Sequence, residues 1–276
     1  MEDSPEQFRA YLDESENSSG EIYVVGGFVG RTAVWDSLKA KWLACLPAGL
    51  TAFHATDCFT GNNEFEGVNI GARRALLDRL TAVITAHDIR LVGYGINAKR
   101  YRELAPKAKD NEFLRNKYAA PFGGAIELAC HAMGNLPTPQ TIWKILDNGE
   151  QWEQCAFFIE SNQYSPSANK TIADLRQSKD LWFRHRIGTD KYGAKSGAAA
   201  IPLLQVADFG VFLAAKYISK APEGKISWKE FYEKLRVAGH VYRTVIADER
   251  SLNLLHQTHK ELKQEAAERR TYWDDI

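Results

Sequence analysis

Cysteine is scarce in this sequence and forms no metal-binding or redox motif. The chain of 276 residues has four cysteines, Cys45, Cys58, Cys130 and Cys155, and no two of them form a C-x-x-C pair. Half of a zinc site or a dithiol couple would need that spacing. We therefore expect reduced structural thiols.

Long apolar runs are missing as well. The longest, Ile201–Ala215, is interrupted by Gln205 and Asp208 and is too short to cross a bilayer. Residues 1–21 are acidic and polar, whereas a secretory signal starts with basic residues followed by an apolar stretch. These features predict a cytoplasmic protein without a membrane segment.

The sequence has no excess of charge of either sign. It holds 35 basic and 35 acidic residues, so a uniformly basic surface for nucleic acid is excluded. Basic residues nevertheless concentrate at positions 99–117 and 170–195, and from the second stretch we select Arg184, Arg186 and Lys195 as substrate-binding candidates. A solvated surface explains either stretch alone equally well.

Several common motifs are absent: there is no P-loop, G-x-G-x-x-G, G-x-S-x-G or H-E-x-x-H sequence. No internal repeat is present either. We expect one compact domain over residues 1–276, with a core at about 8–220 and C-terminal helices at about 226–276.

The chain opens with the pattern of an antiparallel hairpin. Phe8–Leu12 and Glu21–Val29 are rich in β-branched and aromatic residues, and turn-forming residues separate them. Further predicted elements are helices at Ala33–Leu46, Ala72–His87, Phe113–Met133, Glu150–Asn162, Pro202–Ile218 and Trp228–Val237, strands at Ile89–Ile96, Thr141–Leu146 and Leu181–Ile187, and a short extended segment at Phe53–Asp57. This order predicts an α/β mixed sheet covered by helices.

Carboxylates stand where two predicted strands end. Asp13 and Glu14 follow the apolar Ala10–Leu12, and Asp147 follows the apolar strand Thr141–Leu146. Ligands of open α/β sheets bind at such strand ends. A turn also favours Asp, so each position taken alone has a structural explanation.

Asp208 is harder to explain by structure alone. The helix around it is apolar on nearly every face and should be buried. An ionised carboxylate buried there needs a cation, a metal or several hydrogen-bond donors. Gln205 lies on the same face of the helix and could orient the carboxylate or a ligand.

Together, Asp13, Asp147 and Asp208 match the oxygen ligands that Mg²⁺ or Mn²⁺ prefers. A pair of such ions activates water and stabilises the leaving oxygen in phosphoryl transfer. His54 is a candidate general acid or base beside Asp57, although a core histidine is an equally good explanation.

The order of several short motifs resembles the DUF3800 family over about 200 residues. The matching motifs are YLDES (Tyr11–Ser15), YVVGGFV (Tyr23–Val29), Trp35 with Trp42, FHATD (Phe53–Asp57), ILDN (Ile145–Asn148) and PLLQVADF (Pro202–Phe209). The family usually has Gly directly after D-E-S, whereas Glu16 follows here and the first Gly is Gly20. The first turn should therefore be longer.

The resemblance implies a ribonuclease-H-like fold: a mixed sheet with an antiparallel opening hairpin and helices on both faces. It places the family's acidic residues on Asp13, Asp147 and Asp208, with Glu14 matching the opening motif. Such folds often carry a further metal-site glutamate on a helix, and Glu127 lies in the corresponding interval.

The leading hypothesis is a Mg²⁺- or Mn²⁺-dependent nuclease acting on RNA or DNA. One alternative is a non-catalytic module of the same fold that binds nucleic acid or a protein. Another is a hydrolase of a small phosphoester, which a closed pocket would favour.

Overall fold

A computed structural model describes residues 7–17, 19–104, 119–133, 154–162, 165–177, 186–197 and 200–247. Its strands are β1 (Phe8–Glu16), β2 (Ile22–Arg31), β3 (Ile89–Asn97), β4 (Cys155–Glu160), β5 (Ile187–Gly193) and β6 (Val241–Ile246). Its α-helices are α1 (Trp35–Cys45), α2 (Ala55–Thr60), α3 (Ile70–Thr85), α4 (Ala98–Leu104), α5 (Ala119–Ala132), α6 (Ser165–Arg176), α7 (Leu204–Ile218) and α8 (Trp228–Val237). Two 3₁₀ turns, Thr32–Val34 and Asn63–Phe65, lie between them.

The described strands form one mixed six-stranded sheet in the order β5-β4-β1-β2-β3-β6. Neighbours β1, β2 and β3 pair antiparallel, whereas β4 pairs parallel with β1, β5 with β4, and β6 with β3. The predicted α/β class and mixed sheet are confirmed. Because β1 and β4 are parallel neighbours, their C-terminal ends meet at one edge of the sheet.

The opening hairpin is antiparallel, as predicted, but longer than expected. Pairing runs from Phe8 opposite Arg31 to Glu16 opposite Tyr23. Asn17 forms the turn, where its side-chain oxygen accepts hydrogen bonds from two N–H groups, and Gly20 adopts a φ of 66°. Asp13 and Glu14 therefore lie within β1 instead of after it.

Helices cover both faces of the sheet. Phe8, Ala10 and Leu12 of β1 pack with α5 and α6, whereas Tyr11 packs on the opposite face with α1, α3, α7 and α8. This alternation is the period of two expected for a strand buried on both sides. It also places Asp13, two residues after Tyr11, on the face that α7 covers.

Helix α7 lies across β1, β2 and β3 at very close range. A Cβ on Gly210 would stand 2.5 Å from Phe28 Cε2 and 2.8 Å from Leu91 Cδ1. Only a residue without a side chain permits this approach. The close packing fixes the depth at which the side chains of α7 meet the sheet.

Several predicted elements differ from the structure. Residues 155–160, assigned to a helix over Glu150–Asn162, form strand β4, since a short apolar run buried on both faces has no diagnostic periodicity. Most of the strand expected at Leu181–Ile187 lies outside the described residues; of its last two residues, Arg186 is helical and Ile187 begins β5. Within the extended segment expected at Phe53–Asp57, helix α2 begins at Ala55.

The sheet also extends beyond residue 220. Only helices were expected there, but β6 follows α8 and pairs with β3. The predicted strand Thr141–Leu146 lies outside the described residues. Across the described part of the chain, no helix combines the length and the apolar character needed to cross a membrane.

Candidate active site

Two acidic residues stand side by side, one near the C-terminal end of β1 and one at the end of β4. Leu12 pairs with Ile159, so Asp13 and Glu160 are the next residues along the two strands. They follow Tyr11 and Phe158 by two residues, and those two rings stack at 4.6 Å on the same face of the sheet. The parallel pairing of β1 and β4 therefore places the carboxylates of Asp13 and Glu160 next to each other on one face of the sheet.

A third carboxylate completes a cluster. Oxygen atoms of Asp13, Glu14 and Glu160 all lie within 4.8 Å of one another. The N–H of Glu14 donates to Asp13 Oδ1 at 2.9 Å, and Asn162 Nδ2 donates to Glu14 Oε1. Glu14 Oε2 is buried and has no hydrogen-bond partner among the described residues.

Lys195 supplies a positive charge to this cluster. The chain reaches it just after β5, and its side chain is 8% exposed. Its Nζ lies 2.9 Å from Asp13 Oδ2, 3.3 Å from Glu160 Oε2 and 3.1 Å from Asp208 Oδ1. One ammonium thus pairs with three carboxylates from β1, β4 and α7.

Asp208 uses both of its oxygens within the protein. Oδ1 meets Lys195, and Oδ2 accepts a hydrogen bond from the N–H of Ala55 at 2.6 Å. Ala55 is the first residue of α2, so the carboxylate satisfies an N–H that a helix start leaves open. Asp208 is therefore tied to Lys195 and α2 and is not one of the three clustered ligands.

Burial and mutual repulsion raise the pKa values of Asp13, Glu14 and Asp208. Burial raises the pKa of Asp13 to about 6, and Lys195 opposes this rise while Glu160 adds to it. Burial, followed by the charges of Asp13 and Glu160, raises the pKa of Glu14 to about 8. Burial also raises the pKa of Asp208, against the pull of Lys195.

Lys195 responds in the opposite sense. Burial disfavours its charged form, but the carboxylates of Asp208, Asp13 and Glu160 outweigh burial and raise its pKa above the usual range. The ammonium is therefore charged at neutral pH. Within the part of the chain that the structure describes, Lys195 pairs with Asp13, Glu160 and Asp208, whereas Glu14 lies outside ion-pair distance of its Nζ.

Gln205 was expected to orient Asp208 or a ligand, but it forms a hydrogen bond with the backbone of Lys195. Its Nε2 donates to the backbone carbonyl of Lys195 at 3.1 Å, and its Oε1 accepts from the indole N–H of Trp42 at 3.3 Å. It is 1% exposed. The structure thus gives this predicted substrate-binding residue a positioning contact.

The remaining candidates are placed as follows. His54 precedes Ala55 at the start of α2, and Asp57 accepts a hydrogen bond from Asn63 at 2.9 Å on the exposed side.

Glu127 is exposed on α5 and pairs with His131 at 3.6 Å. Arg186 lies near Cys130 of α5, on the other face of the sheet. Asp147 and Arg184 lie outside the described residues.

Aromatic and basic residues lie side by side across the strands, two positions before Asp13 and Glu160 along the chain. Tyr11, Phe158 and Lys191 are paired neighbours across β1, β4 and β5. Lys191 Nζ and Arg9 Cζ lie 5.7 Å and 5.9 Å from the centre of the Phe158 ring. An exposed cation and an aromatic ring therefore flank the carboxylates on the same face.

Another concavity lies away from these groups. A groove of about 710 Å³ runs between α3 and α8, and its lining includes Asp78 and Lys234 but none of the carboxyl groups around Lys195. Its charged side chains pair with each other at 2.8 Å. The groove is therefore separate from the candidate site.

Sequence reasoning identified Asp13, Glu14, Asp208 and Lys195 but missed Glu160. The signal was present, because CAFFIE is an apolar segment that ends on an acid, as Ala10–Leu12 does before Asp13. Assigning that segment to a helix concealed it. The contact between Lys195 and the acids was also missed, since nothing in the spacing of the residues predicts it.

Neither a scan against protein-family models nor a search of curated proteins finds a match to this chain. The resemblance to the DUF3800 family consequently rests on the motifs themselves. The functional interpretation depends on the geometry of the site.

Proposed function

We propose that this protein is a divalent-metal-dependent nuclease with a ribonuclease-H-like fold. The observation that carries the proposal is the cluster of Asp13, Glu14 and Glu160, whose oxygens lie within 4.8 Å of one another at adjacent strand ends. A hard cation such as Mg²⁺ or Mn²⁺ takes oxygen ligands of this kind. The opening hairpin, the mixed sheet and the helices on both faces support the proposed fold.

The residues present fit a bound cation. Glu14 Oε2 is a buried oxygen without a hydrogen-bond partner among the described residues, and burial, followed by the charges of Asp13 and Glu160, raises the pKa of Glu14 to about 8. A cation bound there would stabilise the ionised form. Asp147, outside the described residues, remains a proposed further ligand.

When bound, the cation would supply activation of a water molecule and stabilisation of phosphate charge. The protein's own residues would fix the geometry. Asn162 orients Glu14, and Lys195 holds Asp13 and Glu160 together. His54, beside the Asp208 contact, remains a candidate for proton transfer.

The row before the acids favours nucleic acid over a small phosphoester. Single strands bind proteins through basic groups along the backbone and aromatic rings under the bases. Lys191 and Phe158 offer this combination two residues before Glu160 along the strands, and Arg9 lies 5.9 Å from the same ring. A small phosphoester would have no use for contacts at that distance from the cluster.

One observation favours a second candidate. Lys195 already pairs with three carboxylates, and a buried ion network can stabilise a fold without any metal. In that case the protein would bind nucleic acid, or a protein partner, without cleaving it. The unpartnered Glu14 Oε2 speaks for the metal-dependent enzyme.

The test compares the parent with Glu160→Gln, which keeps the shape of the side chain and removes its charge. With Mn²⁺ or Mg²⁺ added, the melting temperature of the parent should rise, because a ligand that binds the native state stabilises it. Glu160→Gln should lose that rise, and its cleavage of labelled RNA and DNA should fall by about 10²- to 10³-fold.

Glu66→Gln is the matched control, since Glu66 is exposed and lies outside the cluster. It should behave like the parent in both measurements. A parent that binds nucleic acid but shows neither metal-linked stabilisation nor cleavage would establish the non-catalytic candidate instead.

A further inference from the structure

Lys195 is fixed as firmly as the acids around it. Gln205 Nε2 holds its carbonyl at 3.1 Å, and next to it the N–H of Ile201 donates to the carbonyl of Ala194 at 2.7 Å. Its side chain is 8% exposed. Backbone and side chain are therefore both restrained, unlike those of a surface lysine that touches an acid by chance.

The ammonium of Lys195 pairs with carboxylates of the protein on three sides. It carries three N–H donors and no acceptor. Three carboxylate groups, from Asp13, Glu160 and Asp208, lie within 3.3 Å of Nζ. Lys195 thus lies between Asp13 and Asp208, where an ion shared by these two residues would have to bind.

We propose that Lys195 takes the place of a second metal ion, so that the site binds one divalent cation, at Asp13, Glu14 and Glu160. This inference rests on the proposed function and specifies it. The sequence led us to expect one or two cations shared by Asp13, Asp147 and Asp208; this inference specifies one cation beside a fixed ammonium.

The distribution of contacts divides the site into two parts. Asp208 meets Lys195 with Oδ1 and the N–H of Ala55 with Oδ2, and it does not belong to the group of Asp13, Glu14 and Glu160 oxygens that lie within 4.8 Å of one another. Glu14, which Lys195 does not contact within 4 Å, retains its buried and unpartnered Oε2. The oxygen that remains available to a cation is therefore Oε2 of Glu14.

Charge repulsion then limits the number of ions. Two metals that act together in phosphoryl transfer stand roughly 4 Å apart. A second divalent ion at Asp208 would come into direct contact with an ammonium in a poorly solvated region, where like charges repel strongly. Removing the ammonium should open that position.

The experiment counts bound Mn²⁺ on the full chain, by calorimetric titration and by the electron paramagnetic resonance signal of free Mn²⁺. The parent should bind one Mn²⁺ per chain. Lys195→Met, which keeps the aliphatic stem but removes the charge, should bind two. Lys229→Met is the control, because Lys229 is exposed on α8, and it should bind one.

A second variant covers the case in which Lys195→Met does not fold. Asp208→Asn can still accept the hydrogen bond from Ala55, and it should bind one Mn²⁺ with an affinity within a few-fold of the parent. If Asp208 were a ligand of a second ion, the count would instead fall from two to one.

The outcomes separate this inference from the proposed function. Two ions on the parent, or only one on a folded Lys195→Met variant, overturn the role of Lys195 and leave the metal site standing. No bound Mn²⁺ on the parent overturns the metal site and this inference together. One ion on the parent and two on Lys195→Met support both.

Discussion

The two halves of the central sheet differ in what their strands carry at the same edge. β1 carries Asp13 and Glu14 near its C-terminal end and β4 ends in Glu160, whereas β3, which runs parallel to β1, ends in Asn97. The side-chain oxygen of Asn97 accepts a hydrogen bond from the N–H of Arg100 at 2.9 Å and so satisfies the start of α4. A strand end in this fold is thus stable without any charge. Burial of the acids on β1 and β4 destabilises the fold unless a cation compensates their charge.

The largest expected effect follows from removing Lys195 in metal-free solution. Lys195→Met leaves three carboxylates without their cation, and breaking a buried ion pair costs about 3–5 kcal/mol. Urea denaturation with a chelator at pH 7 should measure this loss, and it should shrink at lower pH as the acids take up protons. Lys229→Met should change stability by less than about 0.5 kcal/mol. A loss of similar size in both variants would contradict the special role of Lys195.

A second change tests the half of the sheet without acids. Gly210→Ala places a methyl group against Phe28 and Leu91, and overpacking of this kind costs about 1–3 kcal/mol. Gly123→Ala is the matched control, because its Cβ would meet only Thr171 Cγ2 at an ordinary 3.6 Å. Denaturation should separate the two variants, while Mn²⁺ affinity stays unchanged in both. A large change in affinity for Gly210→Ala would mean that the two halves are coupled.

The acidic half should also make stability depend on pH. The pKa of Glu14 is raised from 4.5 to about 8, so the native state holds a proton that the unfolded chain has lost within this window. Stability without metal should therefore fall as the pH rises from about 4.5 to about 8. Glu14→Gln should flatten this part of the curve and melt at a higher temperature than the parent above pH 8. A parent whose melting temperature rises across the window would contradict the shifted pKa.

The smallest effect concerns the row that precedes the acids. Lys191→Ala should weaken the binding of single-stranded nucleic acid about equally for all sequences and lower the slope of log affinity against log salt by about one. Fluorescence anisotropy at several salt concentrations measures both quantities. Lys229→Ala should leave the slope unchanged. An unchanged slope for Lys191→Ala would indicate that Lys191 does not contact the substrate, and it would favour a small phosphoester as the substrate.

Elements with strong periodicity could be predicted from the sequence. Helix α8 has the predicted bounds, and α7 begins two residues after the predicted start, because their apolar residues repeat at helical spacing. The hairpin was recognisable from its β-branched strands and its turn. The apolar helix around Asp208 predicted that its carboxylate meets a cation, a metal or hydrogen-bond donors, and the structure places Lys195 and the N–H of Ala55 beside it.

Other features depend on pairing between distant segments. Whether CAFFIE becomes a strand is decided by its position between β1 and β5, which periodicity does not encode. Its assignment then determines whether Glu160 reaches Asp13. The same holds for Lys195, which looked like a residue that binds phosphate until the parallel strands brought it to three acids. Asp147 stays a prediction.

The hydrogen bond between Trp42 and Gln205 gives the site an optical reporter. The indole of Trp42 is fully buried, and Gln205 links its N–H to the backbone of Lys195 through contacts of 3.3 Å and 3.1 Å. Tryptophan emission depends on the polarity around the ring and on the bond its N–H makes. A shift of Lys195 will therefore change the fluorescence of the protein, and replacing Trp42 with Phe identifies the part of that signal that comes from the site.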